Sequence, residues 1–175
     1  MKSKPTPWGP SHSETTIAPG IVSFTTGSHG GIQLSSERIA ALPASIREAK
    51  GSDPQWFEED CEVNLVVLAF PEAFTDIAVW YAVKFVRSYG EYPAVAAYVE
   101  TDAGLVLRER HQRFETENGD KWVPGSQSSA GQFWNVRYRR IRDGAQAVAR
   151  DLTDDEAFAQ APVDLAAFGD RVTYA

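Results

Sequence analysis

Gly20-Ile21-Val22-Ser23-Phe24-Thr25-Thr26, then Gly27-Ser28-His29-Gly30, then Gly31-Ile32-Gln33-Leu34, is the run that sets the fold class. Its first segment alternates and is rich in β-branched residues, as a strand with one buried face should be. Ile32 and Leu34 fall on one face of a second strand. The two strands read as a hairpin, with Ser28-His29-Gly30 in the connection and His29 at a loop tip beside the sheet end. Glycine reaches positive φ at little cost and lets a partner approach the backbone, so the imidazole is expected to face outward. A neutral imidazole near pH 7 is a proton carrier or a metal ligand.

Downstream the period changes from 2 to 3.6. Ser35 or Ser36 caps a helix with Glu37 in its first turn, and Pro43 interrupts it after Ile39 and Leu42. Residues 44–50 add a turn or two, and Gly51-Ser52-Asp53-Pro54 is a break. Phe57, Cys61, Asn64, Leu65 and Leu68 recur at helical spacing, so the acidic run 58–62 reads as a helix start, although Leu65-Val66-Val67-Leu68 equally suits a buried strand. Helices are expected from Thr75-Asp76 to about Ser88 and after Tyr92-Pro93. A charged one over 105–117 should carry His111 on its surface.

Lys121-Trp122-Val123 should start a strand, with 124–131 a Ser/Gly-rich loop. Residues 132–142 alternate, placing Trp134, Val136 and Tyr138 on one face and Phe133, Arg137 and Arg139 on the other. Asp143-Gly144 is a hairpin turn. Thr153-Asp154-Asp155-Glu156 is a capping box, and a last short element lies near Val172 and Tyr174. The expected fold is α+β: a small antiparallel sheet with helices packed on one face, a single domain over 17–175 after a flexible N-terminal arm, 1–16.

With 175 residues, 43% hydrophobic and 23% charged, the chain has the composition of a folded protein. One cysteine excludes an intrachain disulfide framework and fits a reducing compartment. No apolar run approaches bilayer length and the N-terminus lacks a signal-peptide core. A soluble cytoplasmic protein is expected, with no membrane contact. The net charge of −7 is uneven: 51–120 hold fourteen acids and five bases (−9), 131–150 one acid and five bases (+4), and 151–175 six acids and one base (−5). An acidic balance disfavours direct nucleic-acid binding, which needs clustered cations, and suits a basic protein partner.

The chemistry-bearing candidates are few. Glu58, Glu59, Asp60 and Glu62 crowd four carboxylates into five positions, where like charges raise one another's pKa and one member can serve as a general acid or base. A hydrolase or transferase would use His29 with Glu58 and Asp60, with Cys61 as a nucleophile if the imidazole reaches it. A metal site of His29 with Glu58, Glu59 or Asp60 would suit Mn²⁺ or Mg²⁺ better than structural zinc. No second histidine has ligand spacing, so neither metal nor cofactor is expected. Arg137, Arg139, Arg140 and Arg142 around Tyr138 make a basic strand that can grip phosphates or pair with the flanking acids.

Thr6-Pro7-Trp8-Gly9, Ile17-Ala18-Pro19-Gly20-Ile21, Ser28-His29-Gly30-Gly31-Ile32, Leu42-Pro43-Ala44 and Trp56-Phe57-Glu58-Glu59-Asp60-Cys61-Glu62 together resemble the signature of a domain-of-unknown-function family. That family is found in plasmid, prophage and integrative-element proteins of proteobacteria. Its second motif usually has tyrosine where Phe57 stands. The resemblance implies a setting, not a reaction. The function expected from it is stoichiometric binding of a protein partner, in its concrete form an anti-defence, anti-CRISPR-like inhibitor whose acidic surface meets a nucleic-acid-binding groove. Trp8, Trp56, Glu58, Glu59 and Asp60 would make the contact. The small enzyme is the alternative, and a nucleic-acid module using Arg137, Arg139 and Arg140 the third reading.

Overall fold

The computed structural model describes residues 3–51, 53–159 and 162–175. Met1 and Lys2 of the expected arm, and Ser52 of the expected break, lie outside the described residues. The chain divides into two compact units, Met1–His111 and Gln112–Ala175. The α+β class holds, and the strands form two four-stranded sheets and a two-stranded ribbon.

In the first unit, β1 (Pro5–Thr6) and β2 (Gly9–Pro10) form the ribbon. The antiparallel sheet has the order β3 (Ser13–Ala18), β4 (Ile21–Thr25), β5 (Gly30–Leu34) and β6 (Trp56–Glu58). Cross-strand partners share a face. Ile21 opposes Leu34, Ser23 opposes Ile32, and Ile32 opposes Phe57. That face is buried with residues of α3 (Val63–Ala69), α4 (Asp76–Ser88) and α5 (Pro93–Val99), among them Leu65, Leu68, Val79, Val83, Val95 and Val99. Burial of each such side chain stabilises by about 1.5–3 kcal/mol relative to exposure. The connection between β5 and β6 carries α1 (Ser36–Ala40), capped by Ser35, and α2 (Ala44–Lys50).

The opposite face presents Phe24, Gly31, Gln33 and Trp56. The N-terminal segment, expected to be an extended or mobile arm, is held there. Lys4 Nζ lies 4.8 Å from the Phe24 ring centroid and bonds Gln33 Oε1 at 2.7 Å. The His12 amide donates to Thr25 O, and Ser13–Ala18 pair with β4.

Three sequence expectations are corrected. The acidic run does not open a helix: Trp56–Glu58 are strand β6, and the helix starts only at Val63, with no acid in its first turn. Burial of Phe57 beside Ile32 decides this, and after the strand Glu58 Oε2 closes a turn by taking the amides of Asp60 and Cys61. Residues 124–130 are not a loop but part of β7 (Trp122–Ala130), with a register shift between Pro124 and Gln127. Pro124 lacks an amide proton, and a bulge is where a sheet tolerates that. His111 is buried, not on the surface, and its ring stacks on Trp80 at 6.4 Å. Beside it, Arg110 donates to Asp76 Oδ1 (2.6 Å) and to the carbonyls of Pro71 and Phe74, pinning α6 (Leu105–Asn118) to the start of α4.

In the second unit the sheet order is β10 (Val172–Tyr174), β9 (Gln146–Leu152), β8 (Phe133–Arg140) and β7. Val136, Tyr138, Ala147, Ala149 and Leu152 make its core face, under Ala157 of α7 (Asp154–Ala157) and Leu165. The Thr153–Glu156 capping box forms as expected, and Arg171 pairs with Glu156 at 2.8 Å.

Candidate functional site

The β4–β5 turn positions His29. The Thr26 amide and hydroxyl both donate to His29 O, at 2.9 and 2.7 Å, and the His29 amide returns a bond to Thr26 Oγ1 at 3.2 Å. This closes a tight connection and leaves the imidazole exposed. Gly30 and Gly31 continue directly into β5, and neither adopts positive φ. They are required by space instead. A Cβ on Gly30 would lie 2.3 Å from Glu59 Oε2, and one on Gly31 would lie 2.2 Å from Trp8 Cη2.

Strand register brings the acids to this point. Gly31 opposes Glu58, and the Glu59 amide donates to Gly30 O at 3.1 Å. Glu58 is fixed by three bonds: its Oε2 accepts the Asp60 and Cys61 amides, and its own amide donates to Glu62 Oε2 at 3.0 Å. The remaining oxygen, Oε1, lies 3.7 Å from His29 Nδ1. Glu59 folds back over Gly30. His29, Glu58 and Glu59 each offer one donor atom, all within 4.8 Å of one another. Three donors so placed can share one cation, whereas at 3.7 Å the imidazole and the Glu58 carboxylate are not hydrogen-bonded.

The other sequence candidates sit apart from this cluster. Asp60, expected to meet His29, is exposed and contributes its backbone amide to Glu58. Cys61 is half-buried, and its thiol is pushed up, first by burial and then by Glu58, Glu91, Asp60 and Glu62. A raised thiol holds little thiolate at neutral pH, the opposite of an activated nucleophile. Its carbonyl takes the Asn64 side-chain amide at 3.0 Å, the partner that Asn64 needs. Glu62 pairs with Lys50 at 2.9 Å. Trp8 and Trp56 are both half-buried, edge to face at 5.8 Å, with Phe24 against Trp56 at 5.4 Å.

The basic strand divides. Arg140 makes a two-pronged pair with Asp143 and lies 5.4 Å from the Trp122 ring centroid. Asp143 is accordingly held down to about 2, chiefly by that guanidinium. Arg142 pairs with Asp120. Arg137 and Arg139 are exposed, with no ion pair among the described residues. Sequence reasoning missed Thr26, which shapes the His29 turn, and the lining of an open cleft of ≈ 440 Å³ that includes Gln33, Ser35, Ser36 and Gln55. Among the described residues no ionisable side chain lines that cleft.

These features define an α+β chain with an exposed imidazole–carboxylate cluster on the rim of its first sheet. It belongs to the family described as Domain of unknown function (DUF7007), matched over residues 1–143. No curated protein and no solved structure matches it significantly. Among the described residues no helix is long and apolar enough to cross a membrane.

Proposed function

We propose that the protein works by binding a protein partner through the acidic rim of Glu58, Glu59 and Asp60, together with the half-buried Trp8 and Trp56. The observation that carries this reading is charge left uncompensated at the surface. Glu59 and Asp60 are exposed beside Glu58, and no lysine or arginine pairs with any of the three among the described residues. Glu62, the next acid along the chain, has Lys50. Carboxylates held this way suit basic side chains of a partner, and such complementarity speeds and orients association. Trp8 and Trp56 pack edge to face and are half-buried, so part of each ring stays open to a partner. The finer form of the proposal follows the resemblance to mobile-element proteins: an anti-defence, anti-CRISPR-like inhibitor that competes with phosphate for a basic groove.

The test is affinity capture from the native host in the presence of EDTA. A specific partner should be retained at low salt and released at high salt. The triple variant Glu58→Gln/Glu59→Gln/Asp60→Asn should lose it, whereas His29→Ala keeps it. A partner retained by the triple variant refutes the rim as the contact.

A second reading, a small hydrolase or transferase, is favoured by the His29–Glu58 approach of 3.7 Å. A small tightening would bring this pair into hydrogen-bond reach, about 3.2 Å. His29 and Glu58 would then act as an acid–base pair, without Cys61. Turnover abolished by His29→Ala in a chain that still folds would establish it.

A further inference from the structure

We infer that His29, Glu58 and Glu59 form a binding site for a divalent metal ion of the Mn²⁺ type, against the expectation from sequence that there is none. This goes beyond the partner-binding reading and does not depend on it. Two donors each about 2.2 Å from one ion lie about 3.1 to 4.4 Å apart, depending on the angle between them. His29 Nδ1 and Glu58 Oε1, at 3.7 Å, fall inside that window. The full set, within 4.8 Å, reaches it through a shift of a few tenths of an ångström by two exposed side chains.

The arrangement is built rather than incidental. Glu58 Oε2 is saturated by two backbone amides, so only Oε1 remains for a ligand. That oxygen lies towards His29 Nδ1. Glu59 reaches the same place because residue 30 is glycine, whose missing Cβ leaves room for the carboxylate. Among the described residues the two carboxylates converge with no ammonium or guanidinium paired to either, a repulsive arrangement that a dication relieves. One imidazole with two carboxylates favours Mn²⁺ over Mg²⁺, which prefers all-oxygen ligation, and over structural zinc, which prefers four closed protein ligands. With three protein donors on an exposed rim, the other coordination positions face solvent.

The experiment is titration of the purified full chain with MnCl₂, without any partner, read by calorimetry and by loss of the free Mn²⁺ electron-paramagnetic-resonance signal. One ion per chain is expected. His29→Ala, Glu58→Gln and Glu59→Gln should each weaken binding about tenfold or more, with circular dichroism showing the fold retained. Asp60→Asn removes a neighbouring charge but no donor, and should weaken it less than about threefold. Absence of binding up to millimolar Mn²⁺, or an Asp60→Asn loss equal to the others, overturns the site and leaves only diffuse attraction to an acidic surface. Partner capture is scored in EDTA and metal binding without partner, so either proposal fails alone.

Discussion

Replacing Gly31 by alanine tests how the site is held together. The added Cβ would lie 2.2 Å from Trp8 Cη2, 2.8 Å from Trp8 Cζ3 and 2.3 Å from Phe57 O. Real Cβ contacts stay above about 3 Å, so both neighbours must give. The indole belongs to the N-terminal segment and can swing away. The carbonyl belongs to β6, and moving it strains the pairing of Gly31 with Glu58. Overpacking costs about 1–3 kcal/mol, and the upper end applies where the obstacle is backbone. For a chain of this length 1 kcal/mol is about 2–4 °C in Tm, so a cost of about 3 kcal/mol lowers Tm by about 6–12 °C. Differential scanning calorimetry measures it. Trp8→Ala/Gly31→Ala removes one of the two obstacles, so its loss should fall short of the summed single losses by about 0.5–1.5 kcal/mol. A Gly31→Ala chain melting within about 2 °C of the parent would refute the packing argument, because the clash with Phe57 O admits no cheap escape.

Other outcomes follow from the same geometry. Cys61 should react with iodoacetamide more slowly than a free thiol at pH 7.5, and Glu58→Gln should quicken it, since Glu58 is the largest charge holding the thiol up after burial; a rate at or above that of free thiol contradicts this. Glu156 is held down to about 2 from an ordinary 4.5, first by the Arg171 guanidinium and next by the Thr153 amide. Its folded value lies below its unfolded one, so its stabilisation is present above about pH 4.5 and fades as pH falls towards 2. Arg171→Gln should flatten the decline of Tm across that window, and parallel curves would contradict the pair. On the basic strand only Arg137 and Arg139 have no acidic partner among the described residues, so DNA should show no gel shift at physiological salt. A shift abolished by Arg137→Glu with Arg139→Glu would instead support the nucleic-acid reading.

Local periodicity made much of this architecture legible. The β4–β5 and β8–β9 hairpins, the Ser35 cap, the Thr153 box and the helix Asp76–Ser88 each announce themselves within a few residues. What failed was decided at long range. Residues 57, 61, 64, 65 and 68 share a helical spacing, but Phe57 is claimed by Ile32 across the sheet. His111 lies in a charged helix yet is buried beside Trp80, a partner far back in the chain. Glycines 30 and 31 suggested backbone freedom, whereas the structure uses them for the room they leave to Trp8 and Glu59. The sequence singled out His29 and the acids. Which acid meets the imidazole depends on register, and register chose Glu58 and Glu59 over Asp60.

The family match stops at residue 143, inside the turn between β8 and β9. β9 is an interior strand, flanked by β8 on one side and β10 on the other. A clone trimmed to the matched span would strip β8 of that neighbour and bare Val136 and Tyr138, both sealed from water in the intact chain. An open ladder with oily side chains invites chains to zip onto one another. Such a clone should come out of the cell as insoluble aggregate, so a clone made for work on the His29 rim should not end at residue 143.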